Sequence, residues 1–121
     1  MYQQGALAYQ QTAKVVETPR DREASLLIKA AIGLQRVRED WPVDLAELQS
    51  ALTYNRKLWT VFMSSATRED HHLPAPMREN IVNLGIFILN ETREILMQPS
   101  QPRLDALINI NRQLAAGLRG N

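Results

Sequence analysis

Residues 45–62, LAELQSALTYNRKLWTVF, constrain this chain more than any other stretch. Leu48, Leu52, Trp59 and Phe62 recur at intervals of four, seven and three, so they share one face of an α-helix. Asn55 lies on that same face, between Leu52 and Trp59. A buried amide without a partner costs about 1–3 kcal/mol, so the fold must bring a polar group to this stripe. Ala51, Tyr54, Leu58 and Val61 widen the apolar side, which predicts a central helix rather than a peripheral one. Asp44, with Glu47 three residues later, gives a capping-box pattern at its start.

Four further segments carry the helical period. Tyr2, Ala6, Tyr9, Ala13 and Val16 share a face made mostly of small residues. They predict an N-terminal helix over 1–17 that depends on docking and is mobile until it docks. Thr18-Pro19-Arg20-Asp21 then supplies an N-cap, a proline suited to the first helical position and an acidic first turn. Leu26, Leu27, Ala30, Leu34 and Val37 form the stripe that follows; Ile28 and Ile32 lie off it and predict cover on two sides. Pro42 ends this helix, because the residue before proline disfavours helical geometry.

From Ala75 to Met97 the stripe is Met77, Ile81, Leu84, Ile88, Thr92 and Ile95, with Ile86 and Phe87 towards the polar face. From Arg103 to Leu118 it is Leu104, Leu107, Asn111, Leu114 and Leu118, and 119–121 read as a frayed tail. No segment alternates with the period of a strand. The expectation is an all-α, single-domain helical bundle of about four to five helices over 1–121.

At 121 residues one ordinary core is feasible. The 14 basic and 13 acidic side chains nearly cancel, which argues against binding driven by nucleic-acid charge. With no cysteine the chain has no disulfide or thiolate site and suits a reducing cytoplasm. Met1–Gly5 opens no signal peptide, and the longest apolar run, 86–89, is too short to span a membrane.

Catalytic patterns are missing. The glycines are scattered rather than gathered in a phosphate loop, and Ser64, Ser65 and Ser100 lack the setting of a nucleophile. His71 and His72 invite a metal, but adjacent side chains converge poorly and no further ligand is spaced to help. They are expected in a solvated loop. No enzyme activity, cofactor or metal is expected.

One internal echo remains. Tyr54-Asn55-Arg56 resembles Ile110-Asn111-Arg112, each with an Asn inside an apolar stripe. Both amides, with Trp59, are read as structural: their helices pack together, and each Asn bonds the other or a nearby loop backbone. Ile86 and Phe87 are expected either under a neighbouring helix or exposed as a seat for a partner helix.

Tyr9, Thr12 and Ala13, Thr18-Pro19-Arg20 with Glu23, Asn55-Arg56 with Leu58-Trp59, Leu73-Pro74 and Ile110-Asn111-Arg112 together resemble the FlaF family of flagellar biosynthesis regulators. Tyr54, Lys57 and Phe87 stand where that pattern more often has Trp, Arg and Trp. The resemblance implies a small cytoplasmic helical protein that regulates flagellin synthesis and binds flagellin as a secretion chaperone. It also implies work alongside a companion regulator, FlbT, that acts on flagellin messenger RNA. Capture of a helical flagellin segment in an apolar groove is expected at Ile86 and Phe87, with Tyr2 and Tyr9 as further contacts and Arg56 and Arg112 at the rim. The alternatives are direct action on the messenger through Arg20, Arg22, Arg36 and Arg38, and a scaffold held with FlbT. The acidic Asp21, Glu23, Glu39 and Asp40 interleave those arginines and make a nucleic-acid partner the weaker expectation.

Overall fold

The computed structural model describes residues 17–120. Four α-helices follow one another: α1 (Pro19–Glu39), α2 (Leu45–Ala66), α3 (Ala75–Met97) and α4 (Leu104–Leu118). No strand occurs among the described residues, so the fold is a small all-α bundle. The helix expected over 1–17 lies, apart from Glu17, outside the described residues.

Local chemistry sets where α1 begins. The Asp21 N–H donates to Thr18 Oγ1 at 3.1 Å, and the Thr18 N–H donates back to Asp21 Oδ2 at 3.3 Å. This reciprocal box satisfies two of the donors a helix start leaves open. Thr18 itself is extended, at φ −85° and ψ 162°, so the chain changes direction immediately before Pro19. The box expected at α2 does not form. Asp44 occupies the N-cap position, but its side chain makes no capping bond. The turn is held instead by its backbone carbonyl, which accepts from Glu47 N–H at 3.0 Å and Leu48 N–H at 3.2 Å.

The packing is two pairs, joined by the contact of α1 with α2 and by side chains that bond between α2 and α4. α1 packs most extensively on α4, α2 packs on α3, and α1 also meets α2. An Arg38–Asp105 ion pair and a 3.1 Å bond from Arg119 Nη2 to Ser25 Oγ pin α1 and α4 antiparallel. Gln101 Nε2 adds a 2.7 Å bond to the Arg38 carbonyl near the first pin. Leu27, Leu34, Leu48, Leu52, Trp59, Ile88, Ile95, Leu104 and Leu107 are fully buried between the pairs. Thr92 is buried too, and its hydroxyl donates to the Ile88 carbonyl at 2.7 Å. Gly85 gives the Met63 side chain of α2 room against α3, because a β-carbon there would overlap Met63 Cγ and Sδ.

Three expectations about the core are corrected. Leu26 is exposed, since the buried line of α1 runs through Ala24, Leu27, Ala31 and Leu34, and Leu26 sits at its edge. On α2, Tyr54 and Val61 are exposed, at 37% and 60%. No described helix covers that side of α2. The second side of α1 is likewise open: Ile28 is half-buried and Ile32 exposed.

Candidate partner-binding groove

Those uncovered sides of α1 and α2 form one feature. An apolar groove of about 820 Å³ runs between the two helices, floored by Ile28, Ile32, Gly33 and Val37 of α1 and by Ala51 and Tyr54 of α2. A β-carbon on Gly33 would meet nothing within 4 Å, so the floor is open at that point. Lys29 and Arg36 line it on the α1 side, Glu47 and Ser50 on the α2 side. The Lys29 ammonium lies 5.6 Å from the centre of the Tyr54 ring, within cation–π range. The 3.6-residue period produces the groove directly: Ile28 and Ile32 share a line one turn apart, away from the line that meets α4.

The residues singled out from the sequence lie elsewhere. Ile86 and Phe87 are exposed on the outer side of α3, at 51% and 42%. Arg56 and Arg112 are exposed as well. Tyr2 and Tyr9 lie outside the described residues. The groove was signalled in the sequence by Ile28 and Ile32 lying off the main stripe of α1, and by Tyr54 beside the stripe of α2.

Asn55, Trp59 and Asn111 do come together, all fully buried. Trp59 Nε1 donates to Asn111 Oδ1 at 2.8 Å, and Asn111 Nδ2 donates to Asn55 Oδ1 at 2.7 Å. The indole fixes the direction of this chain. It can only donate, so Asn111 must present its oxygen to Trp59 and its nitrogen to Asn55. Asn55 Nδ2 is then left buried with no partner among the described residues.

A second cluster joins α1 to the loop 67–74. His72 Nε2 lies 2.8 Å from Glu23 Oε1, the His71 and His72 rings stack at 4.3 Å, and the Leu73 N–H donates to His71 Nδ1 at 3.2 Å. Glu23, 49 residues before His72, is the third potential ligand that sequence spacing did not offer; the donor atoms lie within 4.8 Å of one another. Their hydrogen bonds already engage them in a different role. With Nδ1 of His71 accepting from backbone, its proton sits on Nε2, the nitrogen a cation would need bare. Burial, and then the neighbouring His72, hold His71 below the usual histidine range. The cluster is a clamp that ties the loop to the first turns of α1. Arg78 reinforces the same loop by donating to the carbonyls of Leu73, Ala66 and Arg68 at 3.1–3.2 Å.

Two helix pairs, a buried amide chain and an open apolar groove between α1 and α2 define a small all-α protein. No described helix is long and apolar enough to cross a membrane. The family model for flagellar protein FlaF matches residues 6–118, and the chain belongs to the FlaF family. It is therefore a flagellum-related protein. No curated protein and no solved structure matches it significantly.

Proposed function

We propose that this protein binds flagellin in the cytoplasm as a secretion chaperone, and through that binding promotes flagellin synthesis and export. Family membership supplies the flagellar context. The groove between α1 and α2 is the observation that carries the binding mode. From Ser25 to Val37 it follows roughly 18 Å of helix axis, or about three turns, which suits a partner helix laying down side chains at i, i+3 or i+4, and i+7. Its floor is aliphatic and aromatic, and Lys29 and Arg36 on one rim favour a partner with acidic residues flanking its apolar stripe.

Each aliphatic anchor buried in such a groove contributes about 1.5–3 kcal/mol. A few anchors offset association and ordering costs and leave micromolar affinity, about −8 kcal/mol. Covering an amphipathic stripe in this way keeps it from associating with other copies before export.

Calorimetry with purified flagellin, free of nucleic acid, tests the reading. Ile32 and Phe87 are both exposed at 42%, so Ile32→Asp and Phe87→Asp leave the core intact, as circular dichroism will check. Ile32→Asp is expected to weaken binding tenfold or more and Phe87→Asp to leave it unchanged. The reverse pattern moves the seat to the outer side of α3. No heat and no co-elution with the unsubstituted protein refutes the chaperone reading.

A further inference from the structure

We propose that the outer face of α3 is a dimer interface, on which a second copy of this chain lies antiparallel about a two-fold axis near Ile86 and Phe87. This face is separate from the α1–α2 groove, and the inference does not rest on the flagellin reading.

α3 turns Ile81, Gly85, Ile88, Thr92 and Ile95 inward. Its opposite side carries Ile86, Phe87 and Met97, all exposed, Met97 at 74%. Glu79 and Arg93 stand on that side too, and neither makes an ion pair among the described residues.

Residues seven apart fall nearly in line on a helix, drifting about 20° per step. The outer face is therefore made of three lines. The middle one is Pro76, Asn83, Asn90 and Met97. Glu79, Ile86 and Arg93 flank it on one side, and Asn80, Phe87 and Glu94 on the other. Every one of these positions is exposed.

A two-fold axis across the helix lays each line against the same line of the second copy, reversed. Each line then meets its own complement. On the first flank, Glu79 faces Arg93 of the second copy at both ends, with Ile86 against Ile86 between them. Along the middle, Asn83 faces Asn90 of the second copy, and two amides can donate to and accept from each other. Pro76 faces Met97 there. On the other flank Phe87 meets Phe87, and Asn80 can donate to Glu94. The three lines centre on Ile86, on the midpoint of Ile86 and Phe87, and on Phe87. Neighbouring centres differ by half a residue, under about 1 Å along the axis, so one two-fold serves all three.

This self-complementarity identifies the occupant. A parallel pair would set Glu79 against Glu79 and Arg93 against Arg93, and like charges across an interface reject that arrangement. The amide pairs hold the register, as a polar pair does inside a coiled coil. The face is one helix wide, smaller than the roughly 800 Å² per partner of a standard interface. The dimer is accordingly a weak one, with a dissociation constant on the order of 10–100 μM.

Sedimentation equilibrium of the full chain without flagellin, from about 1 to 500 μM, brackets that range and is expected to show monomer and dimer exchanging. Phe87→Asp should leave a monomer, and Ile32→Asp in the groove should change nothing. Arg93→Glu sets like charges at both ends and should weaken dimerisation about tenfold or more. Adding Glu79→Arg restores opposite charges in reverse and should return it to within about threefold of the native value. The chain has no cysteine, so single thiols report the orientation. Ile86→Cys, at the axis, should oxidise to a linked dimer, and Glu79→Cys, roughly 20 Å from its counterpart, should not. A monomer at every concentration overturns the inference. Self-association lost in Ile32→Asp and kept in Phe87→Asp also overturns it, and places the second copy in the groove. Ready linkage through both thiols overturns the antiparallel arrangement, and a charge reversal that its partner does not rescue overturns the register. All of these readings are taken without flagellin, so they stand apart from the outcome of the flagellin titration.

Discussion

The buried chain Trp59–Asn111–Asn55 makes an unequal prediction for its two amides. Asn and Leu have the same number of side-chain heavy atoms, so Asn→Leu removes polarity with little change of shape. In the native protein, Asn55 Nδ2 is the polar atom of this chain without a partner among the described residues. Replacing Asn111 with Leu strips Trp59 Nε1 and Asn55 Oδ1 of the bonds they now make. Two newly orphaned buried groups cost about 2–6 kcal/mol, a large part of the roughly 5–15 kcal/mol that holds a domain of this kind together. Replacing Asn55 with Leu orphans Asn111 Nδ2 but removes the atom that was already unpartnered, so the change stays near the roughly 0.5–1.5 kcal/mol of one hydrogen bond. The double variant leaves Trp59 Nε1 alone unpaired, so it is expected to be more stable than Asn111→Leu by itself. Urea unfolding followed by circular dichroism and indole fluorescence reads all four corners of this cycle. If Asn55→Leu is as damaging as Asn111→Leu, or if the double variant is no more stable than the latter, the directional argument from the indole is wrong.

Three shorter predictions follow from other parts of the fold. Gly85→Ala should destabilise the fold by about 1–3 kcal/mol of overpacking, since its methyl would overlap Met63, and so lower the melting temperature; adding Met63→Ala should recover part of the loss. Arg78→Ala should cost about 1.5–3 kcal/mol through its charged bonds to the Leu73, Ala66 and Arg68 carbonyls; limited proteolysis should then cut within 67–74. His71 titrates below 6.5 in the folded chain because of burial, so the unfolded chain binds more protons between the two values. Its contribution to stability is fully present above about pH 6.5 and is lost as pH falls through the lower folded value. Melting curves from pH 7 to 5 should show a steeper fall for the native protein than for His71→Asn, which keeps an acceptor without titrating; parallel curves refute the assignment.

The stripes legible in the sequence are those that meet another helix. Leu48, Leu52, Asn55, Trp59 and Phe62 are all buried, as are Leu104, Leu107, Asn111, Leu114 and Leu118. Period alone identifies such faces, and a polar residue inside each was reason to expect a partner. Width misled the reading of α2. Tyr54 and Val61 extend its apolar arc, but burial needs something opposite, and a helix's own sequence does not say what lies there. Glu23 meeting His72 was illegible for the same reason, because their approach depends on how the loop 67–74 returns to α1. Gly85 carried no signal either; its role appears only against Met63, on another helix.

The antiparallel pairing of α1 with α4 also sets an order of assembly. The pin between Ser25 and Arg119 spans 94 residues. The ribosome therefore finishes α1 well before its main packing partner exists. At about 5–20 residues per second that interval lasts several seconds, during which α2 and α3 can close on each other as a local hairpin while the buried line of α1 stays wet. Such long-range closure slows folding relative to a bundle joined only by neighbours. A message interrupted within codons 104–118 consequently yields three helices with an unsatisfied apolar line through Leu27 and Leu34, a surface suited to capture by chaperones or proteases before it finds another copy.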